Sequence, residues 1–214
     1  MDIVKLAREK YRPIEPRIIF IAEAPPENIE RFFYYEDVKT GDTLFINLMR
    51  VLYPEYRKEN NGKIEDIRRD KAKLLKRFQA DGYYLIDALP GPISLRLSSS
   101  ERVKLIDKRK FKILAEISKL LGDKPLESTV ASKGVILIKV TVFDALEQHL
   151  HNYYQSFLLN SHTKVPFPSH GHNKVFASAL HKILSRSDSR YRLDTRFGWY
   201  EGDLVIDHEN KVQK

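Results

Sequence analysis

The apolar run at residues 18–21, Ile-Ile-Phe-Ile, constrains the fold more than any other feature of this sequence. A short continuous run of this kind is typical of a strand covered on both faces. Glu23 follows at the carboxyl end of the run, and Pro25 and Pro26 stiffen the chain directly behind it. Because open α/β sheets bind their ligands at the carboxyl ends of strands, Glu23 is a candidate site residue on a rigid loop.

Apolar runs and helical patterns alternate along the rest of the chain. The other predicted strands are residues 82–86, 134–138 and 157–165. The predicted helices are residues 47–52, 98–121, 141–150 and 174–184, and residues 56–78 in two pieces broken at Asn60-Asn61-Gly62. This alternation predicts a layered α/β domain on a mainly parallel sheet. We expect one domain over residues 1–214, with residues 1–16 as an N-terminal extension and 185–214 as a C-terminal appendage.

Three local signals mark helix ends. Ser98 and Glu101 have the spacing of a helix N-terminus, and Gly122 should end the same helix. Thr141 is positioned to cap the helix that follows the third strand.

Charge and cysteine content narrow the classes of function. The chain has 37 Lys and Arg against 29 Asp and Glu, a net charge of +8, which favours a polyanionic partner such as nucleic acid. It has no cysteine, which excludes disulfides, a cysteine nucleophile, thiolate zinc sites and cysteine-ligated iron–sulfur clusters. No leader and no apolar run of membrane-spanning length is visible, so we expect a cytoplasmic monomer without a membrane partner.

A series of residues follows the first strand in a recognisable order. It consists of Ala22-Glu23-Ala24-Pro25, Glu36-Asp37, Gly41, Phe45 and the helix over 47–52. This series resembles the first motif of the uracil-DNA glycosylase superfamily, and most closely its iron–sulfur branch. Ala22 and Pro26 replace two glycines of that motif, and the absence of cysteine excludes the branch's cluster.

A second resemblance lies near the end of the chain. The segment from Phe167 to Lys174, Phe-Pro-Ser-His-Gly-His-Asn-Lys, is similar to the superfamily's last motif, a His-Pro-Ser sequence that leads into a duplex-opening loop and a helix. Phe167 stands in the position of the histidine. The likeness covers most of residues 17–184 in order, and its first and last motifs are the specific parts.

The resemblance implies a fold, a reaction and a set of site residues. The fold is a three-layer α/β/α domain with a short four-stranded sheet, and the reaction is removal of a damaged or deaminated base from DNA after base extrusion, without metal or cofactor. The implied catalytic residues are Glu23 with His170 or His172. The implied base-binding residues are Ala24, Pro25, Phe45 and Asp87, and the implied DNA-backbone contacts are Ser169 and Lys174.

Asp87 stands where the superfamily commonly has an asparagine at the end of the second strand. An asparagine donates and accepts hydrogen bonds, whereas an ionised aspartate only accepts. A guanine-like edge with adjacent N–H groups suits a carboxylate better than the edge of uracil does. We therefore expect a substrate other than plain uracil.

Each candidate residue also has a purely structural interpretation. Glu23 would be an acid favoured by a helix dipole, Phe45 a core residue, Asp87 a turn residue, and His170 and His172 solvated loop residues. Two other functions remain open at this level: a non-catalytic nucleic-acid-binding protein on the same fold, and an enzyme acting on free nucleosides or another small molecule.

Basic residues cluster in two places. Those between residues 57 and 77 are interspersed with acids, which indicates a solvated helix face. A denser group would track phosphates if it lies on the same side of the domain as Glu23. That group is Lys104, Lys108, Arg109, Lys110 and Lys112.

Overall fold

A computed structural model describes residues 3–38, 40–59, 63–122, 133–154, 157–169 and 171–186. The strands are β1 (Ile18–Ala22), β2 (Tyr83–Asp87) and β3 (Gly134–Leu137). The helices are α1 (Ile3–Lys10), α2 (Thr43–Leu52), α3 (Pro54–Glu59), α4 (Ile64–Arg69), α5 (Lys71–Ala80), α6 (Ser99–Asp107), α7 (Lys110–Leu121), α8 (Val140–Tyr154) and α9 (Asn173–Arg186), with a 3₁₀ turn at Ile29–Arg31. Trp199 and the rest of the expected C-terminal appendage beyond residue 186 lie outside the described residues.

The three strands form a parallel sheet in the order β2-β1-β3. This confirms the α/β class and the parallel sheet. All five residues of β1 are buried, as the apolar run predicted. Since β2 and β3 lie on opposite sides of β1, the sheet has a topological switch point between β1 and β3, the place where α/β sheets of this kind bind ligands.

The fourth strand predicted at residues 157–165 is present only as isolated pairing with β3. Leu158 bridges Val135 and Val165 bridges Ile138, both in parallel orientation. Between the two bridges, the fully buried side chain of Asn160 takes the place of a strand backbone. Its Oδ1 accepts from the Leu137 N–H at 3.0 Å and its Nδ2 donates to the Leu137 carbonyl at 3.1 Å.

The core is rich in aromatic rings between the sheet and the segment that follows β1. Phe20 of β1 packs on Phe78 of α5, and Phe33 contacts both Phe78 and Phe45. The buried Tyr34 hydroxyl accepts from the Leu85 N–H at 2.6 Å, so the segment after β1 is fixed to β2. The N-terminal extension shares in this core, because Tyr11 is 1% exposed and its ring stacks on Tyr34.

Helix ends agree with the sequence in part. Ser98 and Glu101 form a capping box at the start of α6, and Gly122 ends α7 with a φ of +89°. The prediction of a single helix over residues 98–121 is wrong, because the helix is interrupted at Lys108 and Arg109, which separate α6 from α7. Likewise, residues 56–78 contribute to three helices rather than two pieces, since α4 and α5 are separate.

Candidate functional site at the carboxyl edge of the sheet

Glu23 lies directly beyond the carboxyl end of β1, at the switch point. The backbone around it is fixed to the chain that leaves β2, because Ala88 N–H donates to the Ala22 carbonyl at 2.8 Å and Leu89 N–H donates to the Glu23 carbonyl at 3.0 Å. The residue is buried, with 8% of its surface exposed. Ala24 is half-buried and Pro25 is buried behind it. Glu23 is therefore held in place on a rigid turn.

Both carboxylate oxygens of Glu23 accept hydrogen bonds from side chains of other elements. Thr141, in the first turn of α8, donates its hydroxyl to Oε1 at 2.5 Å. Arg102 of α6 donates from Nη1 to Oε2 at 2.9 Å, and the Lys139 ammonium contacts the same oxygen. We call this set, Glu23 with Arg102, Lys139 and Thr141, the Glu23 cluster.

The Glu23 cluster keeps its carboxylate ionised. Burial, the largest single influence, raises the pKa of Glu23, but hydrogen bonds from Lys139 and Thr141 and the charges of Lys139 and Arg102 together lower it below its ordinary value. One negative and two positive charges leave the cluster with a net charge of +1. The site therefore combines a fixed carboxylate with an excess of positive charge.

Lys139 links the end of β3 to the start of α8 in a strained conformation. Its φ is +84°, in the left-handed region that residues with a side chain rarely adopt. Its carbonyl accepts from the N–H groups of Val142 and Phe143, and its own N–H donates to Val165. The side chain of Lys139 is 30% exposed, so the ammonium lies between Glu23 and solvent. Strain of this kind clusters at functional sites.

Thr141 does not cap α8, contrary to the prediction. The first backbone bonds of the helix are accepted by Lys139, and the Thr141 hydroxyl donates to Glu23 instead. A helix-starting threonine has thus become part of the site.

Asp87 ends β2 in register with Ala22, next to Glu23 in the sheet. Its side chain is 3% exposed and forms an ion pair with Arg8 of α1. Burial raises the pKa of Asp87 to about 6, although the charge and hydrogen bond of Arg8 act in the opposite direction. Asp87 is therefore at the edge of the sheet where the sequence placed it, but its carboxylate already has a partner.

Phe45 lies in the core, with none of its surface exposed. The Lys71 ammonium is 4.4 Å from the centre of its ring, and Phe33 packs against it edge to face. A base could stack on Phe45 only after these neighbours moved, so the ring belongs to the core in this structure.

Val165, two residues before the last motif, pairs with Ile138 and accepts from the Lys139 N–H. Ser169 and His172 are exposed, and the Ser169 hydroxyl lies 3.3 Å from His172 Nδ1. Lys174 is exposed in the first turn of α9, and Phe167 is 39% exposed. Neither Ser169 nor His172 hydrogen-bonds to Glu23 within the described part of the chain, and His170 lies outside it.

Sequence reasoning missed four members of the site: Arg102, Lys139, Arg8 and Thr141, the last of which it predicted only as a helix cap. Lys139 carried a usable signal, since it is the first charged residue after the apolar run of β3. Arg102 and Arg8 carried none, because a basic residue on an amphipathic helix is most simply a solvated one.

Comparisons with known proteins add no assignment. No protein-family model matches the chain, and no curated protein and no solved structure shows significant similarity to it. Within the described residues, no group of three or more histidines or acids is arranged to hold a metal ion. In the same part of the chain, no helix has both the length and the apolar character needed to span a membrane.

Proposed function

We propose that this protein is a DNA N-glycosylase that removes a damaged or deaminated base after extruding it from the strand. The observation that carries the proposal is the fixed ion pair between Glu23 and Lys139 at the switch point of the sheet. Breaking the bond between base and sugar transfers the bonding electrons to the base. Positive charge grows on the sugar and negative charge on the base, and the ion pair offers one group of the opposite sign for each.

In this proposal Glu23 stabilises the sugar cation and orients the attacking water. The low pKa of Glu23 suits the electrostatic role, which requires an ionised carboxylate. The water adds to the sugar carbon and its proton goes to the departing base, so the products are a free base and an abasic site. Lys139 stabilises the base anion, because Phe167, in the position of the superfamily's histidine, cannot donate a hydrogen bond to a base oxygen.

The remaining residues have supporting roles. Asp87, next in the sheet, reads the base edge together with its partner Arg8. Ala24 and Pro25 line the turn behind Glu23, and Ser169, His172 and Lys174 contact the DNA backbone. The uracil-DNA glycosylase-like, three-layer arrangement of the domain is part of the same proposal, and the sheet order β2-β1-β3 supports it.

The test is cleavage of end-labelled oligonucleotides that each carry one uracil, hypoxanthine, xanthine or oxidised base, with alkaline work-up. We expect the wild type to cleave a purine lesion in preference to uracil. Glu23→Gln and Lys139→Met should each lower the single-turnover rate by about 10²- to 10³-fold, the effect of removing one preorganised charge-stabilising group.

Lys133→Met is the matched control, because Lys133 precedes the amino end of β3 and donates to the Leu121 carbonyl, away from the site. It should cleave at the wild-type rate. Absence of cleavage on every lesion contradicts the proposal, and so does full activity of Glu23→Gln.

A second candidate is a non-catalytic nucleic-acid-binding protein on the same fold. It is favoured by the three donors that Glu23 already has, since Oε1 accepts from Thr141 and Oε2 from both Arg102 and Lys139. About one acceptor position of the carboxylate is then left for a water. Such a protein would bind DNA in a salt-dependent manner and cleave none of the lesions. Glu23→Gln would then leave its affinity for DNA unchanged.

A further inference from the structure

Phe111 is an exposed aromatic residue within a basic stretch. It lies in the first turn of α7, and 67% of its surface is exposed. The Lys110 ammonium is 5.7 Å from the centre of the ring. Lys108 and Lys112 are also exposed, and within the described ranges no ion pair joins either of them to a carboxylate. Exposed rings between lysines are how single-stranded nucleic acids are commonly held.

Two side-chain contacts connect α6 and the α6–α7 junction to the chain around Glu23. Arg109, between α6 and α7, donates from Nε to the Ala88 carbonyl at 3.1 Å, and the Ala88 N–H in turn donates to the Ala22 carbonyl. Near the start of α6, Arg102 contacts Glu23. Arg109, one member of the basic group, thus lies on the side of Glu23.

The loop before α6 extends the same surface. Arg102 donates from Nε to the Leu97 carbonyl at 2.9 Å and from Nη2 to the Ser94 carbonyl at 3.0 Å. The Arg102 guanidinium thus donates hydrogen bonds to both ends of the loop tip and to Glu23. At that tip Leu95 is 91% exposed, and Arg96 beside it is exposed.

We infer that these residues form a binding surface for single-stranded nucleic acid that leads to the Glu23 cluster. We call it the α6–α7 surface, and it consists of Leu95, Arg96, Lys108, Lys110, Phe111 and Lys112. Lys108, Lys112 and Arg96 neutralise phosphates, whereas Lys110 forms an ion pair with Asp107 at 2.9 Å and contacts the Phe111 ring. The exposed Phe111 ring stacks on a base. Because bases in a duplex stack on one another and hide their faces, this ring selects an unpaired strand. The surface rests on the proposed function for its partner class, nucleic acid, but requires no cleavage.

The test is fluorescence anisotropy with a labelled oligothymidylate of about 15 nucleotides, long enough to cover such a site. Phe111→Ala should weaken binding about tenfold, the loss of one stacked base. The control Tyr153→Ala, which removes a 63% exposed ring on α8, should leave binding unchanged.

Charge reversal tests the phosphate contacts. The double variant Lys108→Glu with Lys112→Glu should weaken binding and flatten the dependence of log affinity on log salt by about 1.4, at roughly 0.7 for each single-strand phosphate contact. Lys73→Glu with Lys76→Glu changes the net charge equally on the exposed face of α5 and should have a much smaller effect.

Equal weakening by both double variants overturns the α6–α7 surface, as does tighter binding of the matched duplex with no effect of Phe111→Ala. Lesion cleavage is assayed in parallel. Cleavage together with an inert Phe111→Ala rejects the surface and keeps the glycosylase. Single-strand binding that depends on Phe111, without cleavage of any lesion, keeps the surface and rejects the glycosylase.

Discussion

Glu23 and Asp87 lie at the carboxyl ends of neighbouring parallel strands, yet their surroundings shift their pKa values in opposite directions. Glu23 has two cations and a hydroxyl around it, which lower its pKa. Asp87 has one arginine beside it, and burial together with the charge of Glu116 raises its pKa to about 6. Burial acts in the same direction at both, and the number of donors decides the outcome. Between pH 5 and pH 6, Glu23 is therefore ionised while Asp87 takes up a proton.

Among the variants around these two carboxylates, Arg8→Met should lower the free energy of unfolding most. Arg8→Met leaves the Asp87 carboxylate buried without a cation, and breaking a buried ion pair in this way costs about 3–5 kcal/mol. We expect the free energy of unfolding at pH 8, measured by urea denaturation, to fall by that amount. At pH 5 the loss should be smaller, because Asp87 is then protonated.

Arg12→Met is the control for that variant. Arg12 forms an ion pair with Glu9 at 3.4 Å in which both side chains are exposed, so its loss should change stability by about 0.5 kcal/mol or less. If Arg8→Met lowered the free energy of unfolding equally at pH 5 and pH 8, the loss would not come from an unpaired Asp87 carboxylate.

The pH dependence of stability should separate the two carboxylates by sign. Asp87 titrates near pH 6 in the folded protein and at an ordinary value of 3.8 in the unfolded chain. Between these values the folded state holds the extra proton, so stability falls as pH rises, by roughly 3 kcal/mol in all. For Glu23 the unfolded chain holds the extra proton below its ordinary pKa of 4.5, so stability rises with pH there.

The measurement is urea denaturation of the wild type, Asp87→Asn and Glu23→Gln from pH 3 to pH 7. Asp87→Asn should remove the decline between about pH 4 and pH 6, and Glu23→Gln should remove the gain below about pH 4.5. If both carboxylates contributed slopes of the same sign to the dependence of stability on pH, their pKa values would not be shifted in opposite directions.

Thr141 offers a smaller test of what holds Glu23. Thr141→Val leaves Oε1 buried without its donor, which should cost about 2 kcal/mol because the acceptor is charged. The pKa of Glu23, followed by NMR, should rise at the same time. Thr141→Ser keeps the hydroxyl and should stay near the wild type; a serine variant as unstable as the valine variant would assign the loss to packing.

The smallest expected effect isolates the strain at Lys139. Lys139→Gly and Lys139→Met both remove the ammonium from Glu23, but only glycine adopts a φ of +84° without strain. The glycine variant should be more stable than the methionine variant by about 1 kcal/mol in urea denaturation. A methionine variant of equal or greater stability would show that the left-handed conformation carries no strain.

The sequence predicted the parallel sheet and the position of Glu23, because both depend on short segments whose own composition reveals their structure. Runs such as residues 18–21 reveal buried strands from their own composition, and the parallel arrangement brings their carboxyl ends together. The placement of Asp87 beside β1 follows from the same rule. The helix break at Lys108 and Arg109 was not predictable in this way, because no glycine or proline marks it.

The partners of the two carboxylates depend on tertiary structure. Lys139 and Thr141 reach Glu23 across 116 and 118 residues of chain, and Arg8 reaches Asp87 across 79. No spacing rule relates such positions. For Phe45 the sequence allowed a base-stacking ring or a core residue, and in this structure the apolar side of α2 buries it.

The side chain of Asn160 also affects whether the edge of the sheet can pair with strands of other protein molecules. A strand with free N–H and C=O groups along its edge recruits strands from neighbouring chains and so promotes aggregation. On the outer side of β3, Asn160 occupies both groups of Leu137, and Phe157 and Leu159 occupy those of Val135. Val165 accepts from the Lys139 N–H just beyond the strand. Protection of this edge against intermolecular β-pairing therefore depends on one amide side chain and a few loop residues.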